Sequence, residues 1–148
     1  MHFEGTVEIA APRDKVWSFV IDPTQVGQCG PGVESVEAID RTHFKARAKV
    51  GIGFISAKFV SDGEMIIIAA PEHAEVKVHG QAPGSAADAV ATIKLSHGAV
   101  EGTTMMNWAA EVNISGTLAS VGARLIEGTA NKLIAQTFVC MKTKLEAG

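Results

Sequence analysis

The chain has no hydrophobic run long enough for a membrane-spanning helix. Its longest, Met65 to Ala70, has six residues, against the roughly 20 that a helical span requires. Its first residues, Met1-His2-Phe3-Glu4-Gly5, lack the basic and apolar regions of a secretory signal. Positive charge is not in excess either: 13 Lys and Arg against 16 Asp and Glu leave a net charge of −3. That balance lacks the basic footprint of a nucleic-acid-binding domain, and it disfavours attachment of the chain as a whole to anionic lipid. The only two cysteines, Cys29 and Cys140, show no paired motif and are read as free thiols of a reducing compartment. No group of His, Cys, Asp and Glu has metal-ligand spacing, so no metal site and no cofactor are expected. Internal repeats, linkers and low-complexity stretches are absent. These absences leave a single domain over residues 1–148. It is expected in the cytoplasm, at most transiently at the inner face of the membrane, with no nucleic-acid partner and no integral membrane segment.

With 47% hydrophobic and 20% charged residues, the chain can bury a substantial core. Phe3, Gly5, Val7 and Ile9 alternate with polar residues as in a half-buried strand. Pro12 and Asp14 favour a helix start. Val16, Phe19 and Val20 give that helix an apolar stripe, and Asp22-Pro23 ends it. A second short helical turn is predicted over residues 23–28, before Gly30-Pro31-Gly32. From Val33 to Ser115 the pattern is one of strands and hairpins. Phe44, Ala46, Ala48 and Val50 alternate with His43, Lys45, Arg47 and Lys49. Gly51-Ile52-Gly53 is predicted to form a tight turn, and Asp62-Gly63 a bulge or turn. Ala87, Ala89, Ala91, Ile93 and Leu95 share one face, as do Met106, Trp108, Ala110, Val112 and Ile114. The final stretch, Gly116 to Leu145, contains no proline and carries apolar residues at helical spacing, so it reads as one long amphipathic helix. Its stripe drifts round the helix, which predicts a diagonal crossing of a twisted sheet or a bend near Gly128.

The candidate site follows from side-chain size. Alanines at 87, 89, 91 and 110 would leave space beneath the helix that a close-packed interior does not tolerate. Either bulky helix residues (Leu125, Ile126, Leu133 and Phe138) fill that space or a ligand does. The candidate cavity lining is Phe59, Val78, Ala89, Ala91, Met106, Trp108, Ala110, Leu125, Thr129 and Leu133. His2, His43 and His79 fall on the outward parity, and His73 and His97 fall in predicted turns. Asp88 and Glu111 also face outward. No titratable side chain is placed inside, so no catalytic residue is assigned, and an enzyme would need one. Gly51-Ile52-Gly53 is not a phosphate loop, because no lysine follows it and its flanks are antiparallel strands.

Several segments taken together resemble the family of the carbon monoxide dehydrogenase G subunit, within the START/Bet v 1-like (SRPBCC) superfamily. They are Phe3-Glu4-Gly5, Ala11-Pro12 with Val16-Trp17, residues 29–33 (Cys-Gly-Pro-Gly-Val), Lys49-Val50-Gly51, Gly102-Thr103, and the run from Gly116 to Ile126. The resemblance covers essentially the whole chain. It implies an α+β helix-grip fold, with a seven-stranded antiparallel sheet curved around a long C-terminal helix and two short helices after the first strand. It also implies an accessory role to a molybdenum-containing carbon monoxide dehydrogenase or related hydroxylase, and a cavity for a lipophilic ligand such as a quinone or lipid. The alternatives are a cavity enzyme of the cyclase or dehydratase type and a docking or assembly factor with an unused cavity. Some relatives carry a membrane-attaching tail beyond the last helix. The sequence here ends at Gly148, so stable self-anchoring is not expected.

Overall fold

A computed structural model describes residues 1–147. The element order is β1 (His2–Ile9), α1 (Arg13–Val20), α2 (Pro23–Gly27), β2 (Val33–Ala38), β3 (His43–Ile52) and β4 (Ile55–Ala69). It continues with β5 (His73–Ala82), β6 (Ser85–His97), β7 (Thr104–Gly116), a 3-10 turn (Thr117–Val121) and α3 (Ala123–Glu146). All neighbouring strands pair antiparallel in one sheet, ordered β1-β7-β6-β5-β4-β3-β2. The 24 residues of α3 give a rod of about 36 Å, which lies in the concavity of the sheet. This is the helix-grip architecture.

Local chemistry sets the element boundaries. Pro12 has extended backbone and stands just ahead of α1, with Asp14 in the first turn. The Asp22 carboxylate accepts the Thr24 N–H at 3.0 Å and caps α2, whose first residue is Pro23. This is an N-cap followed by a proline that has no N–H to lose. The long helix begins later than its apolar pattern implies. Gly116 (φ 84°) and Gly122 (φ 101°) adopt left-handed backbone, which L side chains rarely enter. They bracket a 3-10 turn that redirects the chain, so the predicted single helix is a turn followed by a helix. From Ala123 the helix runs through Gly128 without a break.

Two turn predictions also need correction. Asp62-Gly63 is neither a bulge nor a turn: β4 continues through it, and Gly63 pairs with Phe44 on one side and Val78 on the other. The glycine serves packing, because a Cβ there would collide with the Phe44 ring. Phe44 therefore lies flat across β4. The β3–β4 turn is centred on Gly53 (φ 60°) and Phe54, because Ile52 and Ile55 are still paired. Ile52 belongs to the strand and to the core, not to the turn.

The expectation of free thiols fails. Cys29 and Cys140, 111 residues apart in sequence, form a disulfide with Cα atoms 5.4 Å apart. The turn after α2 brings Cys29 against the last third of α3, a proximity that spacing in sequence does not encode. The cytoplasmic inference drawn from unpaired cysteines loses that support. Polar contacts fasten the same end. Lys15 Nζ donates to the Leu145 carbonyl at 2.8 Å, and the Ala10 N–H donates to Glu146 Oε2 at 2.8 Å. A cation at the carbonyl end of a helix satisfies orphan acceptors and complements the helix dipole.

Buried apolar residues divide into two clusters. One joins Ile9, Val16, Phe19, Leu95, Met106, Met141 and Leu145 beneath α1 and the C-terminal part of α3. The other joins Ile52, Ala57, Phe59, Leu118 and Ile126 at the opposite end. Within the first, Thr104 is fully buried and donates through Oγ1 to the Ala11 carbonyl at 2.7 Å, as a buried hydroxyl must. Bulky residues therefore hold helix and sheet apart at both ends, and small ones lie between.

Candidate functional site

Between the two clusters lie two apolar spaces that share Ser61 and Val78. One, of about 240 Å³, is lined by Ala48, Val50, Phe59, Gly80, Ala87, Ala89, Ile114 and, from the helix side, Leu118, Ile126, Thr129, Ala130 and Leu133. The other, of about 390 Å³, is lined by Phe44, Ala46, Met65, Val76, Ala91, Ile93, Met106, Trp108, Thr137, Phe138 and Met141, and is closed by Val20, Pro23, Val26, Gly27 and Gly30. The lobes exist because alanine, glycine and serine occupy the centres of β3 to β6. A leucine at any of those positions would project into the space. The larger lobe has the size, and both have the apolar character, of small-molecule sites.

Eight of the ten candidate residues line these lobes. Phe59, Ala89, Thr129 and Leu133 face the smaller lobe, Ala91, Met106 and Trp108 the larger, and Val78 both. Two do not. Ala110 lies on the inner face between its register partners Phe3 and Ala91, but outside both linings, where the buried Phe3 occupies that stretch. Leu125 is 43% exposed, because the helix phase set after Gly122 turns Ile126, Thr129 and Leu133 inward and leaves Leu125 at the rim. Phe44 and Ser61 also line the lobes without having been candidates, and Ile126 and Phe138, expected as possible fillers of the space, line it instead. Inward parity was a sufficient signal for Phe44 and Ser61.

Trp108 forms a wall. Its indole lies over Gly5, where a Cβ would meet Nε1 at 2.9 Å, and its ring centroid is 5.2 Å from that of Phe138. On its outer side a shallow groove runs between β1 and α3, lined in part by Glu4, Thr6, Glu127 and Asn131. Trp108 and Phe138 thus separate the larger lobe from a polar surface. An aromatic pair of this kind adds about 0.5–1.5 kcal/mol to simple burial.

The polar side-chain groups lining the lobes are the hydroxyls of Ser61, Thr129 and Thr137 and the indole N–H of Trp108. Thr137 Oγ1 already donates to the Leu133 carbonyl at 2.7 Å. No Asp, Glu, His, Lys or Arg contributes to either lining, and among the described residues no group of three potential ligands could hold a metal. The arrangement can bind and shield an apolar molecule. It offers no acid or base to one.

The titratable pairs lie on the outer surface. His79 Nδ1 meets Asp88 at 2.5 Å, and His2 pairs with Glu111. His43 Nδ1 is 3.0 Å from Asp40 Oδ1 and His43 Nε2 is 3.2 Å from Glu64 Oε2. Asp40, which accepts the Thr42 and His43 backbone N–H groups as well as the His43 ring, is held down at about 2. The His43 ring is pushed above its ordinary 6.5, chiefly by its hydrogen bond to Asp40. Pairing to His43 therefore supports the fold fully below pH 6.5 and is lost as pH rises through the elevated value. The Asp40 contribution is present above its ordinary 3.8 and is lost as pH falls towards 2. A proton NMR titration should place the His43 midpoint above 6.5 and return it towards that value in Asp40→Asn. An unshifted wild-type midpoint would show that the pair does not form in solution.

A sequence model of the CoxG family, that of the G subunit of carbon monoxide dehydrogenase, matches residues 5–146. The chain belongs to the CoxG family. Among solved structures, a conserved protein from Geobacillus kaustophilus superposes with a TM-score of 0.89 at 25% identity, over 98% of this chain and 95% of that one. The Zhui aromatase/cyclase from Streptomyces sp. R1128 gives a TM-score of 0.73 at 16% identity, over 99% and 93%. A START superfamily protein from Mycobacterium smegmatis gives 0.70 at 14% identity, over 99% and 97%. Their low identities make the last two evidence of fold alone, and that fold is START/Bet v 1-like. No curated protein matches the chain by sequence. In this CoxG-family chain no helix among the described residues is long and apolar enough to cross a membrane.

Proposed function

We propose that this chain is a non-catalytic binding protein that carries a hydrophobic, quinone- or lipid-like molecule in the two-lobed cavity and serves a molybdenum-containing carbon monoxide dehydrogenase or related hydroxylase. The observation that carries this reading is a hollow, apolar cavity whose lining has no titratable side chain. A ring system would fit beside Trp108 and Phe138 in the larger lobe, and an aliphatic chain would fit along the alanines of the smaller one. Burying such a molecule contributes roughly 25 cal/mol for each Å² of apolar area removed from water. The few hydroxyls would orient a carbonyl or hydroxyl group without binding it strongly. Membership of the CoxG family supports the partner, since the family takes its name from a dehydrogenase component. The cyclase reading has only the shared fold of the Zhui enzyme behind it and finds no acid or base in the lining.

The test is native mass spectrometry and solvent extraction of protein purified from its own source. A stoichiometric apolar molecule is expected, displaced by an environment-sensitive apolar fluorophore. Protein that emerges empty and does not bind the fluorophore would end this proposal.

A further inference from the structure

The β3–β4 hairpin ends in a feature that cavity binding does not use. Phe54 sits at the turn with its side chain fully exposed. A single exposed hydrophobic residue is ordinary, but this one has company. Leu125, 43% exposed, lies beside the turn: a Cβ on Gly53 would meet its Cδ2 at 3.0 Å. Four residues back from the Gly53–Phe54 turn, on the outer face, Lys49 and Lys58 stand directly opposite one another in register. On the helix side, Arg124 and Lys132 flank Leu125 around a surface depression that shares Thr129 with the smaller lobe.

The charge is unbalanced locally although the chain is acidic overall. None of these four cations takes part in an ion pair among the described residues. The nearby acid on α3, Glu127, lines the groove on the β1 side instead. Like charges directly opposite across a strand pair are destabilising, so the Lys49–Lys58 rung is unfavourable in water and relieved beside an anionic surface. At about 3.3 Å per residue the lysine backbones lie roughly 13 Å behind the tip, and their long side chains can reach forward towards it. That matches a bulky apolar side chain entering a bilayer interface by about 5–10 Å while cations meet headgroups.

We propose that the β3–β4 tip, Phe54 with Leu125 beside it and Lys49, Lys58, Arg124 and Lys132 behind it, docks this protein on an anionic lipid bilayer. The occupant is a bilayer because the cations ring an apolar point and because the adjoining depression borders the apolar cavity. Net charge taken over the whole chain disfavours such attachment. The cluster restores it at one end of the molecule. Docking goes beyond the cavity reading and is tested separately from it.

The experiment is flotation of the full chain with vesicles of phosphatidylcholine, with and without phosphatidylglycerol, at low and at high salt. Binding is expected only to the anionic vesicles, weakened by salt. Each lysine contributes roughly fivefold near such a surface, so Lys49→Gln with Lys58→Gln should weaken binding by more than about tenfold. Phe54→Ser should weaken it about as much while leaving the melting temperature unchanged, since the side chain touches no core residue. Phe54→Trp should show a blue-shifted emission on anionic vesicles alone. Fluorophore binding in the cavity should survive in all these variants, which separates the two readings. Flotation indifferent to both sets of substitutions, or no flotation at all, would overturn the proposal. Capture by an acidic protein through the same residues without vesicle binding would overturn it too.

Discussion

Replacing both Cys29 and Cys140 with alanine is expected to lower the free energy of unfolding by roughly 2–5 kcal/mol. The upper part of that range is favoured here because the bridge closes a sequence separation of 111 residues, and the chain entropy removed from the unfolded state grows with loop length. The bridge also ties the turn after α2, which closes the larger lobe, to α3. Its loss should therefore loosen that end before the sheet. Guanidinium unfolding of the wild type with and without reductant, beside the double variant, provides the measurement. Hydrogen exchange should show faster opening around residues 23–32 and 137–146 while β5 to β7 stay protected. A midpoint that reductant does not move would mean that the bridge is not formed in solution, or that packing alone holds this end.

Ala89→Phe is expected to abolish binding in the smaller lobe, with at least a roughly tenfold loss of affinity for an apolar fluorophore, while leaving stability within about 1 kcal/mol of wild type. Ala89 pairs with Val78 and Val112, and its Cβ faces a space of about 240 Å³. The sign of the stability change discriminates between readings. Forcing a ring into a filled core destabilises by about 1–3 kcal/mol, whereas a ring entering an empty apolar space gains contacts and leaves stability level or raised. The companion Ala91→Phe should act on the larger lobe in the same way. Destabilisation in both variants, with fluorophore binding unchanged, would mean that the interior is packed and the ligand lies elsewhere.

The two variants also locate what was legible beforehand. The inward faces of β3 to β7 followed from alternation alone, because side-chain direction in a strand has period two and needs no partner to define it. Asp88, Glu111, His2, His43 and His79 fall outside by the same rule, whereas His73, expected in a turn, opens β5 with its Nε2 buried. The small inner residues announced a gap, but not its division. Two lobes arise because bulky clusters at each end set the distance between helix and sheet, and Phe3 covers the stretch at Ala110.

Other features depend on tertiary closure. Whether Leu125 or Ile126 enters the cavity is a matter of helix phase, and Gly116, Gly122 and the 3-10 turn between them set that phase. Gly63 continues a strand because it is paired on both sides, and it is glycine because the Phe44 ring occupies the place of a Cβ, neither of which the sequence around Asp62 reveals. Cys29 and Cys140 meet only once the sheet has curled and α3 has crossed it. Phe54 reads as an unremarkable turn residue until Leu125 and the facing lysines stand beside it. Local periodicity was enough to say which strand side chains face inward, since side-chain direction in a strand needs no distant partner. The covalent tie, the shape of the space and the company around the hairpin tip came from tertiary contacts, since each joins residues far apart in the chain.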